Sequence, residues 1–301
     1  MTFIVGACAH GSPGVSTALQ LAASLWPNPD AVPVVVEADV SGGVLAARYE
    51  LSLSPGFVTL AESLRKFEAP PILSHAQRLP SGVACVTLSP SATAASAQLR
   101  SASPYLGPYL AQSGHPVFLD AGLVVPGGKA VAALTAADMV LWFVRPTREE
   151  LLVLRHRLAE CPQPETVGIV LVGETPYNAA QVTEGLGVEV VHVLPIDRRG
   201  ATATILGGDD RFLRRSPLAR SCSQLVTTLH QRLRPSPPKP PADIAGPDLA
   251  APDLAGPDLA GPDVWEPAET SRIDKAAESK PSELDEFGDP DLVVWVNEGQ
   301  T

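Results

Sequence analysis

The stretch Phe3 to Trp26, FIVGACAHGSPGVSTALQLAASLW, carries the densest chemical signal in the chain. An apolar run ends in a loop containing Gly11, Ser12, Pro13 and Gly14, and Ser16 and Thr17 then open a second apolar stretch of helical composition. Strand, glycine-bearing turn and helix N-terminus in that order aim backbone N–H groups and the positive end of a helix dipole at one spot, which favours a phosphate. The Walker pattern G-x-x-x-x-G-K-[ST] laid on Ala9 to Ser16 finds Gly14 and Ser16 in place, with Ala9 at the first glycine and Val15 at the lysine. Valine cannot neutralise phosphate charge, and Pro13 has no N–H to donate. The plain alternative is a turn whose Ser or Thr caps the helix.

Three further segments hold acids at the ends of apolar runs. VVVEADVSGG offers Glu37 and Asp39, PVFLDAG offers Asp120, and GVEVVHVLPIDRRGATAT offers Pro195 and Asp197. Residues of these types serve as turn and cap formers, a reading that stays open for Asp39 and Asp120.

The elements that must position these residues follow from the pattern. Short β-branched runs alternate with longer helical stretches over residues 1–234, the rhythm of βαβ units around a mostly parallel sheet covered by helices on both faces, so the fold class is α/β. Expected strands are Thr2–Cys8, Val32–Glu37, Val83–Leu88, Val117–Asp120, Met139–Val144, Val167–Val172 and Val188–Val193. Expected helices are Ser16–Trp26, Val58–Phe67, Ala92–Arg100, Lys129–Ala136, Arg148–Glu160 and Pro217–Arg232. Cys8, Cys85, Cys161 and Cys222 are far apart, which indicates neither a disulfide framework nor a zinc knuckle and reads as four small buried thiols.

The order and spacing of these motifs resemble the MinD/ParA family of P-loop ATPases, whose loop reads K-G-G-V-G-K-T-[TS]. On that resemblance His10 falls at the signature lysine, Gly11 and Gly14 at glycines, Val15 at the Walker lysine and Ser16 at the Mg²⁺-binding hydroxyl, so the Walker A motif is degenerate and both lysines are absent. The resemblance implies a P-loop NTPase-like fold over residues 1–234. It further implies ATP bound by Gly11, Ser12, Gly14, Val15, Ser16, Thr17, Pro195 and Asp197, with Mg²⁺ held by Ser16 and Asp120 and the attacking water positioned by Asp39. Where the family often carries an adenine-reading Asn, this chain has Gly173. A homodimer around ATP and a partner that stimulates hydrolysis also belong to what the resemblance implies.

Composition divides the chain in two. The net charge is −11, yet residues 1–234 hold 18 basic and 18 acidic side chains, so all the excess negative charge lies beyond Arg234. A neutral head argues against capture of nucleic acid or anionic membrane by bulk field, and the densest basic cluster, Arg198, Arg199, Arg211, Arg214 and Arg215, reads as a solvated face. In residues 235–270 the unit Asp-(Leu/Ile)-Ala-(Gly/Ala)-Pro recurs every five residues, and proline at that spacing forbids a helix or central strand, leaving a disordered, extended linker. Residues 271–301 form an acidic tail whose run Leu292 to Val296 around Trp295 suits a short binding segment or a strand folded back on the head. The start MTFIVGACAHG has no charged stretch before its apolar residues, and no run reaches the roughly 18 to 20 apolar residues a bilayer span needs, so a cytoplasmic protein is expected.

Three functions follow as expectations. The first is a hydrolysis-poor pseudo-ATPase acting as a scaffold or positioning factor in partitioning, cell division or apparatus placement, with protein partners on the head surface and tail. The second is a working ATPase in which another cation, Lys129 by position, replaces the lysine. The third is an adaptor without nucleotide that works through the acidic tail.

Overall fold

Every residue of the runs Phe3–Cys8 and Met139–Val144 is buried, because helices cover both sides of the strands they form. The computed structural model describes residues 2–207 and 215–233. The expectations for residues 234–301, and for Arg211 and Arg214, lie outside the described residues.

In chain order the elements are β1 (Phe3–Cys8), α1 (Val15–Ser24), β2 (Val34–Glu37), α2 (Leu45–Arg48) and α3 (Phe57–Arg65), followed by a 3₁₀ turn (Ile72–His75). Next come β3 (Gln77–Arg78), β4 (Ala84–Val86), α4 (Ala92–Ala111), β5 (Val117–Leu123), α5 (Val131–Leu134) and β6 (Met139–Val144). The described chain closes with α6 (Arg148–Glu160), β7 (Val167–Val172), α7 (Ala179–Leu186), β8 (Val190–Leu194), α8 (Arg198–Ile205) and α9 (Pro217–Arg232). The sheet order is β3-β4-β2-β5-β1-β6-β7-β8, parallel throughout except for the short edge strand β3. This is an eight-stranded P-loop NTPase-like α/β sheet.

Alternation along each strand splits the core into two apolar layers. Phe3, Val5 and Ala7 face one layer with Leu60 of α3, Leu99 of α4, Leu154 of α6 and Val182 of α7. Ile4 and Cys8 face the other with Val15 and Leu19 of α1 and Leu225 and Val226 of α9. All four cysteines are free and buried, as expected.

The expected bounds hold for β6, β7, α6 and α9 and shift by a few residues elsewhere. The helix expected to stop at Arg100 runs on to Ala111 through Pro104 and Pro108. Its buried stripe, Ala95, Leu99, Ala102, Leu106 and Leu110, continues past both prolines, which lie exposed on the opposite face, where water can serve the carbonyls they leave unpaired. The elements α2, β3, α7 and α8 carry no expectation above: each has only 2 to 8 residues and too little period to show.

Candidate functional site

β1 lies between β5 and β6, and all three run parallel. The loop leaving β1, the acids ending β2 and β5 and the chain leaving β6 therefore meet at one carboxyl edge of the sheet, the usual place for a ligand in an open α/β fold.

Gly14 caps α1 with φ 98°, a left-handed conformation that suits glycine, and no side chain caps the helix. The first helical bond runs from Ala18 N–H to Gly14 O at 3.0 Å, so the N–H groups of Val15, Ser16 and Thr17 have no intrahelical partner. Ser12 is exposed, while Ser16 and Thr17 are half-buried. Val15 is only 5% exposed and packs in the apolar layer with Cys8 and Leu19. The lysine position is thus committed to the core.

Beneath the loop Asp120 is 3% exposed. It accepts a hydrogen bond from Gly122 N–H at 3.1 Å. Burial, with Glu37 and Asp39 nearby, pushes its carboxyl up to about 7, against the opposing influence of the neighbouring Ser16 hydroxyl and of Gly122 N–H. Asp39 accepts from Ser41 N–H at 2.8 Å and lies over Gly122. Gly122 has φ 54°, and a β-carbon there would run into the Asp39 carboxylate. Cys8 also sits under the loop, its Sγ 3.3 Å from Gly122 O, and burial pushes the thiol up to about 12, which leaves it inert.

Glu37 has a structural task. Its Oε1 accepts from Val44 and Leu45 N–H at 2.6 and 2.9 Å and its Oε2 from Leu88 N–H at 2.9 Å, which ties the start of α2 to the end of β4. Burial raises its carboxyl and the three N–H groups oppose that shift. Asp197 is similarly engaged: Oδ1 accepts from Gly200 N–H at 2.9 Å and Oδ2 from Leu218 N–H at 3.2 Å, joining the N-termini of α8 and α9.

Beside the loop lies a cleft of about 170 Å³ lined by Pro13, Gly14, Thr17, Val172, Pro195 and Asp197 among others. It is smaller than the roughly 300 Å³ where ordinary small-molecule pockets begin, so a planar base fits it better than a whole nucleotide. The structure thus brings Gly11, Ser12, Gly14, Ser16, Thr17, Asp39, Asp120, Pro195 and Asp197 to one edge. Val15 shares the loop but turns inward. His10, Lys129, Arg198, Arg199 and Arg215 are exposed.

One pair escaped the sequence reading. The Arg145 guanidinium reaches the loop, with Nη2 donating to Ser12 O at 3.1 Å and Nη1 3.3 Å from Glu150 Oε1. The available signal was positional: Arg145 immediately follows an apolar strand, where site residues of such sheets gather.

A glycine-bearing loop between β1 and α1, with a buried acid of β5 beside it, sits in a P-loop NTPase-like fold. Among solved structures the fold is that of the MinD/ParA ATPases. The chain is similar to a ParA family ATPase from Chlorobium tepidum TLS at 15% identity, with a TM-score of 0.64 over 75% of this chain and 99% of that one. It is similar to the septum site-determining protein MinD of Pyrococcus horikoshii OT3 complexed with Mg-ADP (15% identity, TM-score 0.56, 77% and 97% covered). It is also similar to a MinC:MinD cell division protein complex from Aquifex aeolicus (11%, 0.56, 79% and 98%). The sequence matches no protein-family model and no curated protein. Among the described residues, no helix is long and apolar enough to cross a membrane.

Proposed function

We propose that the chain is a nucleotide-binding, hydrolysis-poor MinD/ParA-like protein that acts as a positioning or partitioning factor in the cytoplasm. Its head would span residues 1–234, with a linker over 235–270 and an acidic tail over 271–301. What supports the reading is the buried Asp120 carboxylate beside Ser16, in the first turn of a helix whose N-terminus no side chain caps. That pair is the donor set a Mg²⁺-nucleotide needs from the protein, since magnesium takes one or two protein oxygens and completes its shell with phosphate and water.

The residues fit the group in backbone and oxygen donors. The N–H groups of Val15, Ser16 and Thr17 would hold phosphate, Ser16 and Asp120 the magnesium, and Pro195 with the adjoining cleft the base. Bound magnesium would supply the positive charge that lets Asp120 stay ionised in a buried site. Asp39 keeps one carboxylate oxygen on Ser41 N–H and is the candidate to orient a water. With Val15 in place of lysine, turnover is expected to be slow.

Partners are inferred from two sources. The MinD structure solved with MinC supports a protein partner on the head, and the acidic, apolar-ended tail supports a second contact. A homodimer around the nucleotide belongs to the same reading.

Calorimetric titration of the full chain with ATP and Mg²⁺, beside a Ser16→Ala, Asp120→Ala double variant, tests it. Micromolar binding in the wild type, lost in the variant and accompanied by turnover near background, is expected. Absence of binding at millimolar ATP would overturn the reading.

A further inference from the structure

With Val15 buried in the apolar layer, the charge that a polyphosphate requires has to come from another element. β6 adjoins β1 on the side away from β5, and the register sets Cys8 opposite Phe143. The two chains therefore leave the sheet side by side, and Arg145, the first residue past β6, arrives at the loop that follows β1.

Its guanidinium has a charged partner on one flank and a single carbonyl on the other. Glu150, 7% exposed at the side chain, is fixed by accepting Arg145 N–H at Oε2 (2.9 Å), and its own N–H donates to Thr147 Oγ1 (3.4 Å). The other flank of the guanidinium rests on Ser12 O at 3.1 Å, and 44% of the Arg145 side chain remains open to solvent. A guanidinium carries five N–H donors in a planar fork, so it can keep the Ser12 carbonyl while presenting the remaining donors to an anion above the loop. By contrast, no observation links Lys129, exposed in the loop after β5, to the cradle.

We infer that Arg145 is the cation of this phosphate cradle, standing in for the missing lysine and held in reserve by Glu150; the inference rests on the nucleotide reading above. A phosphate entering the loop competes with the Glu150 carboxylate for the same guanidinium, so Glu150 sets how readily Arg145 is released. A clasp that merely shaped the loop would make both residues supportive of binding. A reserved cation makes them act in opposite directions.

The test is calorimetric titration of the full chain with ATP and Mg²⁺ for the wild type and the variants Arg145→Ala, Arg145→Lys, Glu150→Gln and Lys129→Ala. Arg145→Ala is expected to weaken binding about ten- to hundredfold, the range of one charge-assisted contact. Arg145→Lys should fall between, because its flexible ammonium keeps the charge but lacks the planar fork that fixes Ser12 O and a phosphate oxygen on one rigid group. Glu150→Gln still accepts Arg145 N–H but frees the guanidinium, and should tighten binding about two- to fivefold, the worth of a half-exposed pair. Lys129→Ala should bind as the wild type does. If Arg145→Ala binds as tightly as the wild type while the Ser16/Asp120 double variant does not bind, the cradle works without Arg145 and the assignment is wrong. If Glu150→Gln weakens binding as much as Arg145→Ala, the pair is a structural clasp and the assignment is again wrong. If the wild type itself binds no ATP, the nucleotide reading fails first and this inference falls with it.

Discussion

Replacing Asp120 with Asn removes a buried charge while nearly preserving shape, because Asn can still accept Gly122 N–H and meet the Ser16 hydroxyl. Burial, reinforced by Glu37 and Asp39, raises the Asp120 carboxyl from 3.8 to about 7. The folded protein therefore holds this proton to a higher pH than the unfolded chain does. The stability associated with it is complete below about pH 3.8 and is lost as pH rises through about 7. At 1.36 kcal/mol per pKa unit, the ionised carboxylate costs the fold about 4 kcal/mol at pH 8 and under about 2 kcal/mol at pH 5. Asn has no such dependence. Its advantage over the wild type should grow by about 2–3 kcal/mol from pH 5 to pH 8, or roughly 4–12 °C in Tm for a domain of this size. Urea and thermal unfolding of both proteins across that range, with chelator present to exclude divalent cations, measures the difference. A gap that does not change with pH, or one that shrinks toward pH 8, would refute the argument that Asp120 is a destabilising buried charge awaiting a cation.

Four other substitutions probe the same edge of the sheet. Glu37→Ala leaves the N–H groups of Val44, Leu45 and Leu88 without their acceptor, the last two of them buried, and should cost about 2–6 kcal/mol in urea unfolding; a loss below about 1 kcal/mol would contradict the stapling role. Gly122→Ala forces a side chain into left-handed backbone and displaces the Asp39 carboxylate, so a loss of about 1–3 kcal/mol should accompany weakened ATP binding in calorimetry. Val15→Lys gives up roughly 1.5–3 kcal/mol of apolar burial, read by urea unfolding, but should raise ATP affinity about tenfold through one charge-assisted contact. Asp197→Ala removes the cap of α8 and the acceptor of Leu218 N–H in α9, whose own cap Ser216 remains, and should lower unfolding stability by about 1–2 kcal/mol, read by urea unfolding.

Much of this protein is decided within short windows of sequence. Short apolar runs of six residues without alternation and rich in β-branched residues suit strands buried on both faces, and Met139–Val144 and Val167–Val172 form as that logic requires. The loop from Gly11 to Thr17 is equally local: a left-handed glycine followed by helix formers starts a helix whose first N–H groups no side chain caps. The meeting of Ser16 with Asp120 was legible one step further out, through the order of strand-end motifs.

The remainder depends on which strands become neighbours. Glu37 looks like a site acid in sequence, yet its three N–H partners lie 7, 8 and 51 residues away, and only folding makes it a staple. α4 continues through Pro104 and Pro108 because its apolar stripe is buried, a gain that local propensity cannot register. Arg145 and Ser12 are 133 residues apart and touch because β6 settles beside β1. Periodicity and turn chemistry act over a few residues, so the sequence by itself determined the longer strands and helices and the glycine-bearing loop between β1 and α1. Side-chain partners across a sheet are set by strand order and register, and those alone decided which charge stands over that loop.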